Sequence, residues 1–269
     1  MNQKNLSAKK RIHNFYLRNL KNSKIKKIYS KFKKNLDKQK ISRMAVAISG
    51  GPDSIALAFL TKSYELENKK NFFYFIVDHK IRKDSTKEAK ITKKKLNFFG
   101  IKCKILTWNQ KNKISNLQSN ARDNRYRLIF NECSKKKINL ILTAHHKDDL
   151  YENFFIRLLR GSGLKGLSSF NNIKSKINKD KNIFIYRALF DITKNDLEYI
   201  ANKTFNFFVK DPSNEDDQFL RIKIRKLLYR LNQEGLDFKK FKLTLENLSK
   251  SNQTIEFYVK KNINENSKF

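Results

Sequence analysis

The chain has 269 residues, of which 39% are hydrophobic and 32% charged, enough for one large or two small domains with a sizeable core. No apolar run approaches the ~18 residues that a membrane span needs, so the sequence excludes an integral membrane protein. The formal net charge of +35 indicates a polyanionic partner, with nucleic acid as first candidate, although A/T-rich codons would also enrich lysine.

The number and spacing of the cysteines exclude several kinds of disulfide and metal site. The chain has two cysteines, Cys103 and Cys133, which are not arranged as a CxxC motif. This pattern excludes a disulfide scaffold, a zinc ribbon and a CxxC iron–sulfur site, and it fits a reducing compartment. We expect both thiols to be buried as small hydrophobic groups.

Residues 1–40 contain twelve lysines and two arginines but a single acid, Asp37. No apolar stretch typical of a secretory signal is present, so we expect a cytoplasmic protein, with an organelle stroma as the alternative. Apolar residues at helical spacing predict an amphipathic helix over residues 25–36. Its lysines form either a solvated face or a surface that contacts RNA.

From Met44 onward, short apolar runs alternate with helical patterns. This alternation indicates βαβ units, so we predict an α/β fold with a doubly wound, mainly parallel sheet covered on both faces. We expect a basic helical extension over 1–40, one domain over 41–231 and a lysine-rich helical tail over 232–269. The predicted strands are 44–48, 72–77, 101–108, 138–143 and 182–186; the predicted helices include 84–99, 115–136, 147–160, 193–205 and 218–231.

Residues 49–54 (SGGPDS) connect the first predicted strand to a helix. Two glycines allow a tight turn whose amides point into one concavity, and the helix adds its positive N-terminal end. We therefore predict a pyrophosphate-binding loop in which Asp53 and Ser54 face solvent. Because ligands bind beyond the carboxyl ends of parallel strands, we also expect Asp78, His79, Trp108, His145 and His146 near this loop.

The loop resembles the PP-loop of the N-type ATP pyrophosphatases, and further blocks resemble the tRNA(Ile)-lysidine synthetase family within that superfamily. The blocks lie in the family's order, with small departures at Lys80, Leu150, Asn153, Ile222 and Lys223. They are residues 77–85 (VDHKIRKDS), similar to VDHGLRxxS; 120–126 (NARDNRY), similar to ARxxRY; 143–152, similar to AHHxDDQxET; 158–167 (LLRGSGLKGL); and 211–225, similar to DPSN…RNxIR.

The resemblance implies an adenine nucleotide alpha hydrolase-like fold, ATP and Mg²⁺ as cofactors, and a two-step ligation. A wobble cytidine in the CAU anticodon of tRNA(Ile) would attack the α-phosphate of ATP and release pyrophosphate. The ε-amine of L-lysine would then displace AMP and form lysidine, which changes codon reading from AUG to AUA. No membrane partner is expected, and the sequence leaves open whether the chain forms a homodimer.

The resemblance and the charge types together assign the candidate site residues. The open alternatives are structural roles: ion pairs for the arginines, helix-end contacts for the carboxylates, and a core or rim position for Trp108. The assignments are ATP binding for Ser49, Gly50, Gly51, Pro52, Asp53 and Ser54; catalysis for Asp53, Asp78, His145 and Arg122; Mg²⁺ for Asp53 and Asp78; lysine for Asp148, Asp149 and Glu152; and tRNA for Arg82, Arg125, Arg221 and Arg225.

Two other functions remain in competition. A PP-loop tRNA thiolase would share the nucleotide loop but commonly uses cysteine chemistry. A basic RNA-binding protein that kept an inactive nucleotide fold would show no ATP–pyrophosphate exchange. Longer members of the resembled family carry further C-terminal domains, and we expect this chain to be a short form in which those domains are absent or reduced to residues 232–269.

Overall fold

The structure is a computed structural model, and it describes residues 3–108, 117–168, 174–178, 182–209 and 220–267. Its elements follow the predicted alternation from Met44 onward. Their bounds are α1 Gln3–Leu20, α2 Ser23–Asp37, β1 Arg43–Ile48, α3 Pro52–Glu67, β2 Asn71–Asp78, α4 Ser85–Phe98, β3 Cys103–Thr107, α5 Leu117–Lys135, β4 Leu140–Leu142, α6 Lys147–Leu159, α7 Leu164–Ser168, β5 Lys174–Asn178, β6 Ile183–Tyr186, α8 Lys194–Thr204, α9 Leu220–Gln233 and α10 Phe238–Asn266.

The chain forms two compact units, whose boundaries differ from the three segments drawn from composition. The first unit comprises residues 1–147 and 174–210, and the second comprises residues 148–173 and 211–269. In the part of the chain that the structure describes, no helix combines the length and apolar character of a membrane span.

The first unit contains a six-stranded sheet with the order β3-β2-β1-β4-β6-β5. The pairs from β3 to β6 are all parallel, which confirms the predicted mainly parallel α/β sheet. β5 pairs antiparallel with β6 and was not predicted. Its sequence, KSKIN, has one apolar residue and therefore no pattern that would mark a strand.

Both faces of the sheet are covered, because side chains alternate between two separate apolar clusters along each strand. Met44 and Val46 of β1 pack into the larger cluster, whereas Ala45 packs into the smaller one. α3 and α8 contribute to the larger cluster, and α5 contributes Ile129 and Cys133 to the smaller one. This two-sided burial explains why the strands read as continuous apolar runs.

The basic extension forms two helices where the sequence predicted one. α2 covers the predicted helix over 25–36, and its apolar residues Ile25, Ile28, Phe32 and Leu36 are buried. α1 was missed because its apolar residues are less confined to one face than those of α2, although Ile12, Phe15 and Tyr16 recur at helical spacing. The Tyr16 hydroxyl donates to the carbonyl of Phe99 at 3.0 Å, which fixes α1 to the end of α4.

The second unit has an aromatic core of its own. The Tyr151 ring of α6 lies 4.8 Å from the Phe238 ring and 5.3 Å from the Phe241 ring, both on α10. Phe154 adds an edge-to-face contact with Phe241 at 5.0 Å. Such aromatic pairs contribute about 0.5–1.5 kcal/mol each beyond the area they bury, so they hold α6 against the start of α10.

Candidate nucleotide site

The loop between β1 and α3 has the geometry of a phosphate cradle. Gly50 has φ +91°, a conformation that favours glycine, and Gly51 is the N-cap of α3 with Pro52 in the first turn. The first helical hydrogen bond runs from Ile55 N to Gly51 O at 3.1 Å. Amides before that bond point out of the helix end, where the helix dipole favours an anion.

Ser54 braces this loop from inside. Its hydroxyl oxygen accepts from the amides of Ser49 at 3.2 Å and Gly50 at 3.1 Å, and it donates to the Gly51 carbonyl at 2.9 Å. Ser54 is only 2% exposed, so the expectation that it faces solvent was wrong. The side chain turns back into the bend because it can satisfy the amides there.

Two other parts of the first unit also pack against the loop at Gly50. Val209 N donates to Gly50 O at 2.9 Å. A Cβ on Gly50 would lie 3.1 Å from Thr92 Oγ1 and 3.3 Å from Val209 Cγ2. A side chain at position 50 is therefore opposed by both conformation and space.

Asp53 lies beside a buried histidine. Its Oδ2 atom is 3.7 Å from His146 Nε2, and the Asp53 side chain keeps 29% exposure while that of His146 keeps 3%. His145, the predicted catalytic residue, instead contacts the Thr143 hydroxyl through Nδ1 at 2.8 Å. The structure thus places His146, which was expected near the loop together with His145, beside Asp53 of the phosphate loop.

Asp78 ends β2 and is held by three donors. Its Oδ2 accepts from Thr86 Oγ1 at 2.6 Å, and its Oδ1 accepts from Ser85 Oγ at 2.8 Å and Lys80 N at 3.1 Å. Burial raises the pKa of this carboxyl, but the hydrogen bonds outweigh burial and leave the pKa below its usual value. Asp78 is therefore an anion that fixes the βα turn; sequence reasoning did not single out Ser85 and Thr86 as its donors.

His79 orients Arg125 at the same end of the sheet. Nε and Nη2 of Arg125 lie 3.2 and 3.1 Å from His79 Nε2, which must be the unprotonated ring nitrogen to accept them. Burial and the Arg125 guanidinium lower the pKa of His79 to about 4, so the ring is neutral at pH 7. Trp108 packs edge-on against this ring at 6.5 Å and is buried, as a core or rim position requires.

Two further arginine candidates of the first unit are Arg82 and Arg122, and the Arg82 guanidinium also contributes to lowering the pKa of His79. Arg82 forms an ion pair with Glu88 at 2.8 Å and keeps 43% side-chain exposure. Arg122 lies in α5, but its side chain is outside the described residues, as is the whole of residues 211–214 (DPSN).

In the second unit, three predicted residues meet in one cluster. Glu152 is buried, and its carboxylate accepts from Arg225 Nε at 2.6 Å and lies 3.2 Å from Arg221 Nε. The sequence placed Glu152 in a lysine pocket and the arginines on a tRNA surface, so it did not pair them. Asp148 and Asp149 occupy the first turn of α6, where Asp149 is buried and Asp148 half-buried.

The side chains near the loop could supply only some of the ligands that Mg²⁺ needs. Among the described residues, no three His, Cys, Asp or Glu side chains form a ready-made metal cluster. Mg²⁺ is commonly held by one or two carboxylates plus substrate phosphates and water, so the Asp53 carboxylate fits this ion when nucleotide is present, whereas both oxygens of the buried Asp78 already accept hydrogen bonds. Asp53, partly exposed, is the more accessible of the two.

These features define a nucleotide-binding α/β protein with a phosphate loop after its first strand. Residues 21–231 match the PP-loop domain, and the chain belongs to that family. The fold is similar to that of the U34-tRNA thiolase NcsA from Methanococcus maripaludis, with a TM-score of 0.70, 19% identity, and coverage of 84% of this chain and 79% of that one.

Curated relatives share much higher sequence identity. A tRNA(Ile)-lysidine synthase from Orientia tsutsugamushi (strain Boryong) is 40% identical over 186 residues, which are 69% of this chain and 41% of the relative. One from Rickettsia peacockii (strain Rustic) is 39% identical over 206 residues, 75% of this chain and 38% of the relative. One from Rickettsia felis is 37% identical over 226 residues, 82% of this chain and 50% of the relative. The chain thus spans at most half the length of these relatives.

Proposed function

We propose that this chain carries out the ATP-dependent ligation of L-lysine to the wobble cytidine of tRNA(Ile) with a CAU anticodon, forming lysidine. The observation that carries the proposal is the braced phosphate loop within a chain that is 37–40% identical to proteins named tRNA(Ile)-lysidine synthase. The matched blocks of sequence extend beyond the loop to residues 77–85, 143–152 and 158–167, so the proposal does not depend on the loop alone.

The first step is adenylation of the cytidine. The pyrimidine carbonyl oxygen attacks the α-phosphate, the bond to the bridging oxygen breaks, and pyrophosphate leaves with the electron pair. The amides at the start of α3 would hold the phosphates, and Arg125, held by neutral His79, would offer a positive charge to the developing anion. Mg²⁺ on Asp53, with Asp78 as the weaker candidate ligand, would neutralise phosphate charge. Arg122 and His145 remain candidates for this step.

The second step is displacement of AMP by the ε-amine of lysine, which loses a proton as the new C–N bond forms. Asp148 and Asp149 are the stronger candidates for binding the ammonium groups of lysine. Glu152 also stays a prediction, but Arg225 and Arg221 already neutralise its charge, which does not favour it. Histidine near neutral pH is a suitable proton acceptor, and His146 beside Asp53 is a candidate alongside His145.

The tRNA would be held through phosphate contacts. Arg82 and Arg221 keep about half of their side-chain surface exposed. Arg221 and Arg225 both contact the Glu152 carboxylate, and the exposed part of Arg221 can donate to a phosphate. We place the reaction in the cytoplasm or an organelle stroma, in keeping with two free cysteines.

Thiolation is the weaker assignment, because the cysteines are poorly placed for it. Cys103 packs in the larger apolar cluster and Cys133 in the smaller one, so they lie on opposite faces of the sheet. Burial raises the pKa of each thiol to about 12, which leaves little thiolate for nucleophilic chemistry. The likeness to the U34-tRNA thiolase is one of fold.

The test is incubation of the full chain with ATP, Mg²⁺, radiolabelled lysine and a tRNA(Ile) transcript with the CAU anticodon, followed by nucleoside analysis. We expect labelled lysidine, AMP and pyrophosphate in equal amounts. A transcript with U in place of the wobble C and a reaction with the Asp53→Ala variant serve as controls and should give none. Wild-type protein that binds ATP yet labels no tRNA would refute the assignment.

A further inference from the structure

The outward side of α2 carries a row of lysines, which we call the lysine face of α2. Its members are spaced four, three and four residues apart, so they lie within an arc of about 60° and extend over about 16 Å of helix. All are exposed. They are Lys27, Lys31, Lys34 and Lys38.

The helix beneath this face is firmly anchored to the first unit. Phe32 is fully buried, and the Tyr29 hydroxyl donates to Glu67 of α3 at 2.8 Å. The Tyr64 hydroxyl donates to Asp37 at 2.7 Å, and the Tyr186 hydroxyl donates to the carbonyl of Asn35 at 2.6 Å. The lysine face is therefore displayed in one orientation, which lowers the ordering cost of binding a partner.

The acids around α2 are engaged with other groups: Glu67 with Tyr29 and Lys33, Asp196 with Lys24, and Asp37, on α2 itself, with Tyr64. Among the described residues, no acidic side chain pairs with a member of the lysine face. Like charges at i,i+4 destabilise an isolated helix by about 0.2–0.5 kcal/mol per pair, so the row carries a cost that a bound anion would remove.

Lysine-rich codon usage places lysines on other exposed surfaces too: on α10, Lys242 pairs with Glu246 and Lys261 with Glu265, and on α4, Lys90 and Lys94 are exposed. Lysines of α4 therefore serve in the control for the lysine face of α2. The apolar residues of α2 are buried, so the face offers nothing for insertion into a lipid surface. A row of evenly spaced cations matches the repeating phosphates of a nucleic-acid strand.

We propose that the lysine face of α2 binds the sugar–phosphate backbone of the tRNA substrate. The choice of tRNA rests on the proposed function, whereas the requirement for a polyanion rests on the geometry of α2. The contact supplies affinity without reading the anticodon, because phosphates carry no sequence information.

The test compares two triple variants of the full chain with equal loss of charge. One removes Lys27, Lys31 and Lys34 as K27Q/K31Q/K34Q; the matched control, K90Q/K94Q/K102Q, removes exposed lysines of the same unit that lie outside this face. Binding to the CAU transcript is measured between 50 and 300 mM salt. We expect the first variant to reduce the slope of log Kd against log salt by about 2–3 and to weaken binding most at the low-salt end of this range.

Steady-state kinetics separate this proposal from the proposed function. The α2 variant should raise the KM for tRNA and leave kcat and the KM for ATP unchanged. The control variant should leave all three values unchanged. Equal salt slopes for both variants, or wild-type protein that does not bind tRNA, would overturn the lysine face as a tRNA surface. Wild-type protein that binds tRNA through this face but makes no lysidine would overturn the proposed function alone.

Discussion

Gly50 is the loop residue most constrained by both conformation and space. Its φ of +91° costs a residue with a side chain about 1–2 kcal/mol, and a Cβ would be tight against Thr92 and Val209, which would have to move by a few tenths of an ångström. We predict that Gly50→Ala lowers Tm by about 3–8 °C and reduces ATP–pyrophosphate exchange at least tenfold. Differential scanning calorimetry and the exchange assay measure the two effects.

Gly51 supplies the matched control for that substitution. It has φ −70°, and the atom nearest to an added Cβ is Ser49 Oγ at 3.8 Å. Gly51→Ala should therefore keep the wild-type Tm, whatever it does to nucleotide binding. A Tm for Gly50→Ala equal to that of Gly51→Ala would contradict the strain assigned to position 50.

Ser54 is predicted to act as a brace of the loop. Ser54→Ala removes the acceptor of the Ser49 and Gly50 amides, at a cost of about 1–3 kcal/mol, and we expect weaker ATP binding by isothermal titration. The control is Ser63→Ala, because Ser63 is equally buried but its hydroxyl bonds only to Phe59 within α3. Equal ATP affinities for the two variants would show that the brace is dispensable.

At the scale of single residues, sequence identified the loop but not the orientation of its side chains. The glycines, the proline and the preceding strand were sufficient to predict a phosphate cradle. Whether the Ser54 side chain faces water or turns back to the amides depends on the exact path of the backbone, which the residue types alone do not specify. The pairing of Glu152 with Arg225 was missed for a different reason: the two residues are 73 positions apart, and each resembled a ligand-binding group on its own.

At the scale of elements, α6 and α9 of the second unit are joined by the contact between Glu152 and Arg225. We predict that Glu152→Gln and Arg225→Gln each destabilise the protein by about 1–3 kcal/mol and that the double variant costs less than their sum. Urea unfolding measures the three values. Glu246→Gln is the control, since its exposed pair with Lys242 contributes less than about 0.5 kcal/mol.

The lysine KM of the Glu152→Gln and Arg225→Gln variants distinguishes a structural role for Glu152 from a role in lysine binding. If Glu152 binds lysine, Glu152→Gln raises the lysine requirement while Arg225→Gln does not. Additive destabilisation in the double variant, together with a raised lysine KM for Glu152→Gln alone, would favour the lysine pocket over the pairing described here.

Helices and strands with a clear pattern of apolar residues were predictable from the sequence. Those that depend on contacts with other parts of the chain were not. The strands β1, β2 and β4 and the amphipathic α2 carry apolar patterns that specify both type and position. The apolar residues of α1 are less confined to one face, and its Phe15 packs against Phe99 and Phe205, the residues that end α4 and α8. β5 is a strand because it pairs with β6, and the residues of β5 alone do not indicate that pairing.

At the scale of the whole molecule, the sheet separates the two cysteines. We predict that the double variant Cys103→Ala/Cys133→Ala keeps lysidine formation within about threefold of wild type, with a modest loss of stability from two small cavities. Native protein at pH 8 should also resist alkylation by iodoacetamide, because both thiols are buried with a pKa of about 12. Loss of activity in the double variant with its fold intact would revive thiolation.

One edge of the sheet has a consequence for behaviour at high concentration. Among the described strands, β3 is the outermost on its side, and an outermost strand offers unpaired backbone groups to any other chain that meets it. Lys104 projects from the middle of β3, where it pairs with Glu132, and Lys102 directly precedes the strand. Two copies that docked edge to edge through β3 would have to bring Lys102 and the Lys104–Glu132 ion pair of each copy together, and charged side chains along an edge discourage the ribbon-like aggregation to which open sheets are prone.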